Sequence, residues 1–146
     1  MSLSLEHAFT ITAQIAAARE IGTTPAGYRR VIGITGGTVS GPALNGEVLP
    51  GGADWNVIRS DGAVHVLARY EILSDGGDVV SVVNEGLGPV RDPGADPGEP
   101  WSCPTRPSFE TAAPALAWLN TGSFLGELQT GKPGEVTIAV HRVLIS

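Results

Sequence analysis

Apolar and polar residues alternate with a period of two along most of this chain, and turn-forming dipeptides break the alternation. A first strand is expected from Ser4 to Ala18, with Leu5, Phe9, Ile11, Ala13 and Ile15 on its apolar face and His7 in phase as a wall residue. Gly22 to Gly27, containing Pro25, reads as a loop, and Tyr28 to Ile34 as a second strand into which Arg29-Arg30 leads. Short strands follow at Ala43 to Leu49 and Trp55 to Arg59. Ala63 to Leu73 has the clearest alternation: Val64, Val66, Ala68, Tyr70 and Ile72 share one face, His65, Leu67, Arg69 and Glu71 the other. Asp61-Gly62 on one side of it and Ser74-Asp75-Gly76-Gly77 on the other are hairpin turns, so Asp78 to Asn84 completes a three-stranded meander.

Downstream, Leu87 to Pro107 carries six prolines and little that is apolar besides Trp101. It is expected to be a long mobile loop. Ser108 to Ala112 is extended, Pro114 to Asn120 has the spacing of one or two helical turns, and Ser123 to Leu128 and Val136 to Ile145 are the last strands. About eight to ten strands with strong turns and one short helix point to an all-β fold, a closed antiparallel β-barrel. Residues 1–146 are expected to form a single barrel domain, large enough to bury a core without disulfide or metal staples.

Composition narrows the function classes. A net charge of −6 repels phosphate backbones and anionic lipid, so no nucleic acid and no membrane partner is expected. Phe9 to Ala18 is apolar and ends in three alanines, but no basic segment precedes it and its alternation is that of a strand rather than a signal peptide. No run reaches transmembrane length, and the cytoplasm is the expected compartment. The 20 glycines and 11 prolines suit many strands joined by turns. Gly33, Gly36, Gly37 and Gly41 do not make a phosphate loop, because neither a Lys-Ser/Thr ending nor a helix follows; in strands they mark bulges and sharp corners.

The chemistry-bearing residues are sparse. Cys103 is the one cysteine and has no accompanying histidine motif, which argues against a nucleophile. His7, His65 and His141 stand far apart in sequence, so no metal is expected, and no G-x-S-x-G nucleophile elbow occurs. What remains is a set of polar residues beside aromatics at strand ends. Asp54, next to Trp55, is a candidate pocket carboxylate whose pKa burial would raise toward that of a general base. Arg69 requires a carboxylate partner or a bound anion if it faces inward; Asp54 and Glu110 are the candidate partners. An ion pair that only satisfies a barrel end explains the same residues without a function.

At these positions the chain resembles the DUF3237, or UPF0311, family. The resemblance is carried by Gly41-Pro42, GEVLPGGADW from Gly46 to Trp55, Asp61-Gly62, Ala68-Arg69-Tyr70, Asn84-Glu85-Gly86, PSFET from Pro107 to Thr111, and Trp118-Leu119-Asn120. It runs from about Ile32 to the C-terminus, and the motifs are specific in combination and in this order. It implies a closed antiparallel barrel of calycin-like or allene-oxide-cyclase-like shape and supplies no established activity. The chain departs from the family before Pro107, where Glu99 to Pro104 stands in place of an aromatic-rich strand.

Two uses of such a barrel compete, beside a third in which its own side chains fill it as a structural subunit. In one, the cavity binds a small molecule, with Trp55 and Trp118 as apolar walls and Asn84 and Asn120 as polar contacts. In the other, a cofactor-independent isomerase, cyclase or lyase uses Asp54 or Glu110 as acid/base and Arg69 to hold an oxyanion. Either needs no cofactor, and a homo-oligomer is compatible with both. Asp54, Arg69, Asn84, Glu110 and Asn120 are expected to converge on one cavity.

Overall fold

Strand pairing runs in an unbroken antiparallel ring through the computed structural model, which describes residues 1–91 and 99–146. The strands are β1 (Leu3–Ile15), β2 (Arg19–Thr24), β3 (Gly27–Ser40), β4 (Gly46–Val48), β5 (Gly52–Ile58), β6 (Val64–Ser74), β7 (Val79–Gly88), β8 (Ser102–Glu110), β9 (Phe124–Lys132) and β10 (Glu135–Ile145). From β3 the ring passes through β5, β6, β7, β8 and β9 to β10. β1 closes it, pairing with β10 along most of its length and with β3 from Thr10↔Ser40 to Ile15↔Ile34. β4 and β5 share one position between β3 and β6, each filling one end of it. β2 folds back on β3 as a hairpin outside the ring. Closure leaves no ring strand with a full-length bare edge, which is the physical reason a sheet this long curls.

Period-two alternation sets the inside. On β6, Val64, Val66, Ala68, Tyr70 and Ile72 are all buried, and the residues between them are exposed or half-buried. The hairpin glycines Gly62 and Gly77, at φ +87° and +88°, take the left-handed conformation that such turns demand. One end of the barrel is plugged by aromatics in edge contact: Phe9 to Phe109 at 5.6 Å and Phe109 to Phe124 at 5.1 Å between ring centroids. A three-residue 3-10 turn, Pro114–Leu116, and a four-residue helix α1, Trp118–Thr121, lie between β8 and β9 and bury Leu119. These are the helical elements among the described residues, where the Pro114 to Asn120 spacing places them. No helix there is long and apolar enough to cross a membrane.

Three local expectations need correction. His7 is exposed rather than on the inner wall, and so is Leu5: all of Leu3 to His7 is exposed, and the buried part of β1 begins at Ala8 and Phe9, where its pairing with β10 shifts register. Gly22 to Gly27 is largely strand, closing the β2–β3 hairpin. The 87–107 segment is not one loop: Leu87 and Gly88 end β7, and Ser102 to Pro107 belong to β8. On β8, Cys103, Thr105, Pro107 and Phe109 are buried and alternate with exposed residues. Pro104 pairs with β9 and Pro107 with β7, so each missing N–H falls where a second ladder is not needed. The expectation of mobility falls in part on residues 92–98, outside the described residues. The glycine-rich run, by contrast, is strand with a kink: β3 continues through it, and its pairing with β1 shifts register between Gln14 and Ile15.

Candidate functional site

The end of the barrel opposite the aromatic plug encloses a cavity of about 660 Å³. That volume lies within the ordinary range for small-molecule sites. Its rim is formed by Ala16, Ala17 and Ala18 after β1, by the β9–β10 turn at Pro133 and Gly134, and by Arg91 and Trp101. Trp101 is fixed there from three sides. Its backbone N–H donates to Thr130 Oγ1 at 3.1 Å, its indole N–H donates to the Pro89 carbonyl at 3.2 Å, and Arg91 lies 5.9 Å from its ring centroid.

The two walls of the cavity differ in kind. β1, β9 and β10 contribute the apolar Ala13, Ile15, Leu128, Val136 and Ile138, with Thr130, Lys132 and Glu135 at the ends of β9 and β10. The facing wall carries Arg30 from β3, Asp54 and Asn56 from β5, Tyr70 from β6 and Asn84 from β7. Register explains the grouping. Arg30 pairs with Asn56, and Ile32, Asp54, Ala68 and Asn84 stand at one level across four neighbouring strands. Residues at one level point to the same side, so these side chains meet inside. Ala68 is small, which leaves room between Asp54 and Asn84, two strand spacings (roughly 9.5 Å) apart.

A chain of hydrogen bonds organises part of this wall. Arg30 Nη2 donates to Asn56 Oδ1 at 2.8 Å, and Asn56 Nδ2 donates to Asp54 Oδ2 at 3.2 Å. Asp54 Oδ1 accepts the backbone N–H of Leu67 at 2.9 Å. The paired residues of β5 and β6 run from Asp54↔Ala68 directly to Val57↔His65, so Asp54 takes up an N–H within a gap in the ladder. Burial raises the Asp54 carboxyl above its ordinary value. The Leu67 N–H, the Asn56 amide and the charges of Arg30 and His65 pull it back only in part.

Other polar atoms on the wall have no partner. Tyr70 Oη, Asn84 Oδ1 and Arg30 Nε are buried and make no hydrogen bond among the described residues. Burial also pushes the Tyr70 phenol up, so it stays protonated as a donor. Buried polar groups are nearly always paired, so three unpaired ones on residues that line one cavity are unusual.

A family model described as "Protein of unknown function (DUF3237)" matches residues 3–143. The chain belongs to this family. A UPF0311 protein of Rhodopseudomonas palustris strain TIE-1 is 38% identical to it over 151 residues, covering 98% of each chain. A crystal structure of a protein of unknown function from Clostridium acetobutylicum superposes with a TM-score of 0.88 at 31% identity, covering 98% of this chain and 100% of that one. A beta-barrel like protein from Acinetobacter baumannii gives a TM-score of 0.85 at 26% identity, covering 99% and 98%. The DUF3237 match thus takes in β1 and β2, ahead of the motifs that begin near Ile32.

Within this DUF3237 barrel, the residues singled out from sequence divide sharply. Asp54 and Asn84 line the cavity together. Arg69 does not: it is exposed, because it follows Ala68 and precedes Tyr70 on β6 and alternation turns it outward. Neither a buried ion pair with Asp54 nor an inward oxyanion contact is open to it. Glu110 is exposed at the far end of β8. Trp55 is 42% exposed on the outer face of β5, one residue out of phase with Asp54 and Asn56. Trp118 packs near the plugged end, 5.9 Å from Phe124, with Arg142 over its ring. Asn120 is exposed and caps a turn, accepting from the Thr111 N–H at 2.8 Å and donating to its carbonyl at 2.9 Å. Cys103 is buried, and burial holds its thiol protonated, which suits a packing role.

Arg30, Asn56 and Tyr70 were missed as site residues. Each had a signal in the pattern: Arg30 shares its phase with Ile32 and Ile34, Asn56 with Asp54 and Ile58, and Tyr70 with Ala68 and Ile72. A polar residue in phase with an apolar face is the informative case. Among the described residues, no three His, Cys, Asp or Glu side chains gather in a way that would hold a metal ion.

Proposed function

We propose that this protein binds a small, mostly apolar molecule carrying oxygen or nitrogen groups along one edge. The observation that carries this reading is the set of unpartnered buried atoms, Tyr70 Oη, Asn84 Oδ1 and Arg30 Nε, around one cavity of small-molecule size. Leaving such an atom unpaired costs about 1–3 kcal/mol; each is sealed by its neighbours, so a ligand edge recovers that energy only where side chains of the wall turn to meet it. Away from the Thr130, Lys132 and Glu135 ends of β9 and β10, the wall across from them presents aliphatic groups among the described residues, so the other side of the ligand is apolar.

Native mass spectrometry of the protein against a small-molecule collection tests this, with Ala68→Phe as a blocked cavity. Adducts formed by the native chain and lost in the folded Ala68→Phe variant support the reading. Adducts that persist in the variant place binding outside the barrel and reject it.

A second reading, proton-transfer chemistry on the same ligand, is favoured by Asp54. A carboxyl with a raised pKa on a cavity wall, two hydrogen-bond links from a guanidinium, is the equipment of a cofactor-independent isomerase, cyclase or lyase. In that reading Arg30 takes the cationic part first given to Arg69, and Glu110 has none. Asp54→Asn would then retain ligand and lose turnover; equal loss of both would reject catalysis.

A further inference from the structure

Resting on the binding reading above, we infer that the cavity takes its ligand as an organic anion, with the anionic group set against Arg30 and the apolar body against β1, β9 and β10. Among the described residues, six charged ones line the cavity. Glu20, Arg91, Lys132 and Glu135 are at or near the mouth, where Lys132 and Glu135 pair at 3.4 Å. Inside, the charged groups are Arg30 and Asp54, and they do not touch: Asn56 stands between them.

The counter-charge to Arg30 is therefore supplied at one remove. Among the described residues Arg30 makes no salt bridge, and its Nε is buried without a partner. A guanidinium offers five donors in a planar fork suited to carboxylate-like groups, and here one is known to be engaged within the protein, by Asn56. Both Asp54 oxygens already accept a proton donor from the protein, so the carboxylate is turned toward its own wall. An anion arriving at Arg30 meets a cation with free donors rather than a closed ion pair.

The apolar wall selects the rest of the ligand. Small hydrated anions such as phosphate would lose water to aliphatic side chains that return nothing, so the anionic group must belong to an organic skeleton. The protein's net charge of −6 does not bar this, since charges beyond about 8 Å are largely screened at physiological salt.

Two fluorescent probes with one skeleton test the inference: 1-anilinonaphthalene-8-sulfonate, an anion, and N-phenyl-1-naphthylamine, which lacks the sulfonate. The native protein should bind the anionic probe about tenfold tighter or more, the worth of one charge-assisted hydrogen bond in a buried site. Arg30→Gln should remove the preference while keeping affinity for the neutral probe. Arg30→Lys should restore part of it, and Arg69→Gln, on the outer surface, should change neither. Equal affinities in the native protein overturn the inference without needing any variant to fold, and leave the binding reading standing. A preference that survives Arg30→Gln overturns the assignment to Arg30. If neither probe binds, or both bind folded Ala68→Phe as well as the native chain, both readings fail.

Discussion

Tyr70→Phe removes one oxygen from the centre of the barrel and isolates the cost of an unpartnered polar atom. The Tyr70 ring is buried, 5% exposed, and stands opposite Val82 on the next strand. Phenylalanine keeps that ring and its contacts, so no apolar area is lost and no methyl-sized void appears. What changes is the hydroxyl, which has no hydrogen-bond partner among the described residues. An unsatisfied buried donor costs about 1–3 kcal/mol. The substitution should therefore stabilise the unliganded protein by about 1 kcal/mol, seen as an unchanged m-value with a higher urea midpoint. For a chain of this length that corresponds to a rise in Tm of roughly 3 °C. The same change should weaken any ligand found by mass spectrometry by about fivefold, because 1 kcal/mol of pairing is lost. A variant less stable than the native chain by more than about 0.5 kcal/mol would refute the reasoning: the hydroxyl would then serve the fold and not a ligand.

Two further outcomes are expected. Burial raises the Asp54 pKa in the folded state above its unfolded value near 3.8. Its favourable contribution is thus full below that value and is lost as pH rises through the folded pKa. The stability of the native chain relative to Asp54→Asn should fall with rising pH across that window in urea melts, and a flat difference from about pH 4 to 8 would contradict the shift. Gly52→Ala should cost about 3 kcal/mol by the same assay, because a Cβ there would lie 2.4 Å from both the Arg69 carbonyl oxygen and Tyr70 Cβ; a loss under about 1 kcal/mol would show that β5 can move away from β6.

The fold was legible because its rules are local. Alternation along β6 assigned both of its faces correctly, and Asp-Gly and Gly-Gly turns marked the hairpins that flank it. The same alternation excludes Arg69 from the interior, since a residue next to an inward Tyr70 must point out. Proline hid β8, because a missing N–H disqualifies a strand only where a ladder needs that donor, and Pro104 and Pro107 each pair on one side only. The exposure of His7 follows from where β1 enters the core, at the register shift with β10 beside Ala8, and not from β1 alone.

By itself, then, the sequence determined the strands, their turns and the faces of the well-patterned ones, because backbone geometry dictates a period of two. Tertiary structure decided which of the inward polar residues share one site. Arg30 and Asn56 stand 26 positions apart, and Asp54 and Asn84 meet one cavity from either side of Ala68. Those meetings follow from register between strands, which is set by closure of the whole barrel and has no signature in any one segment.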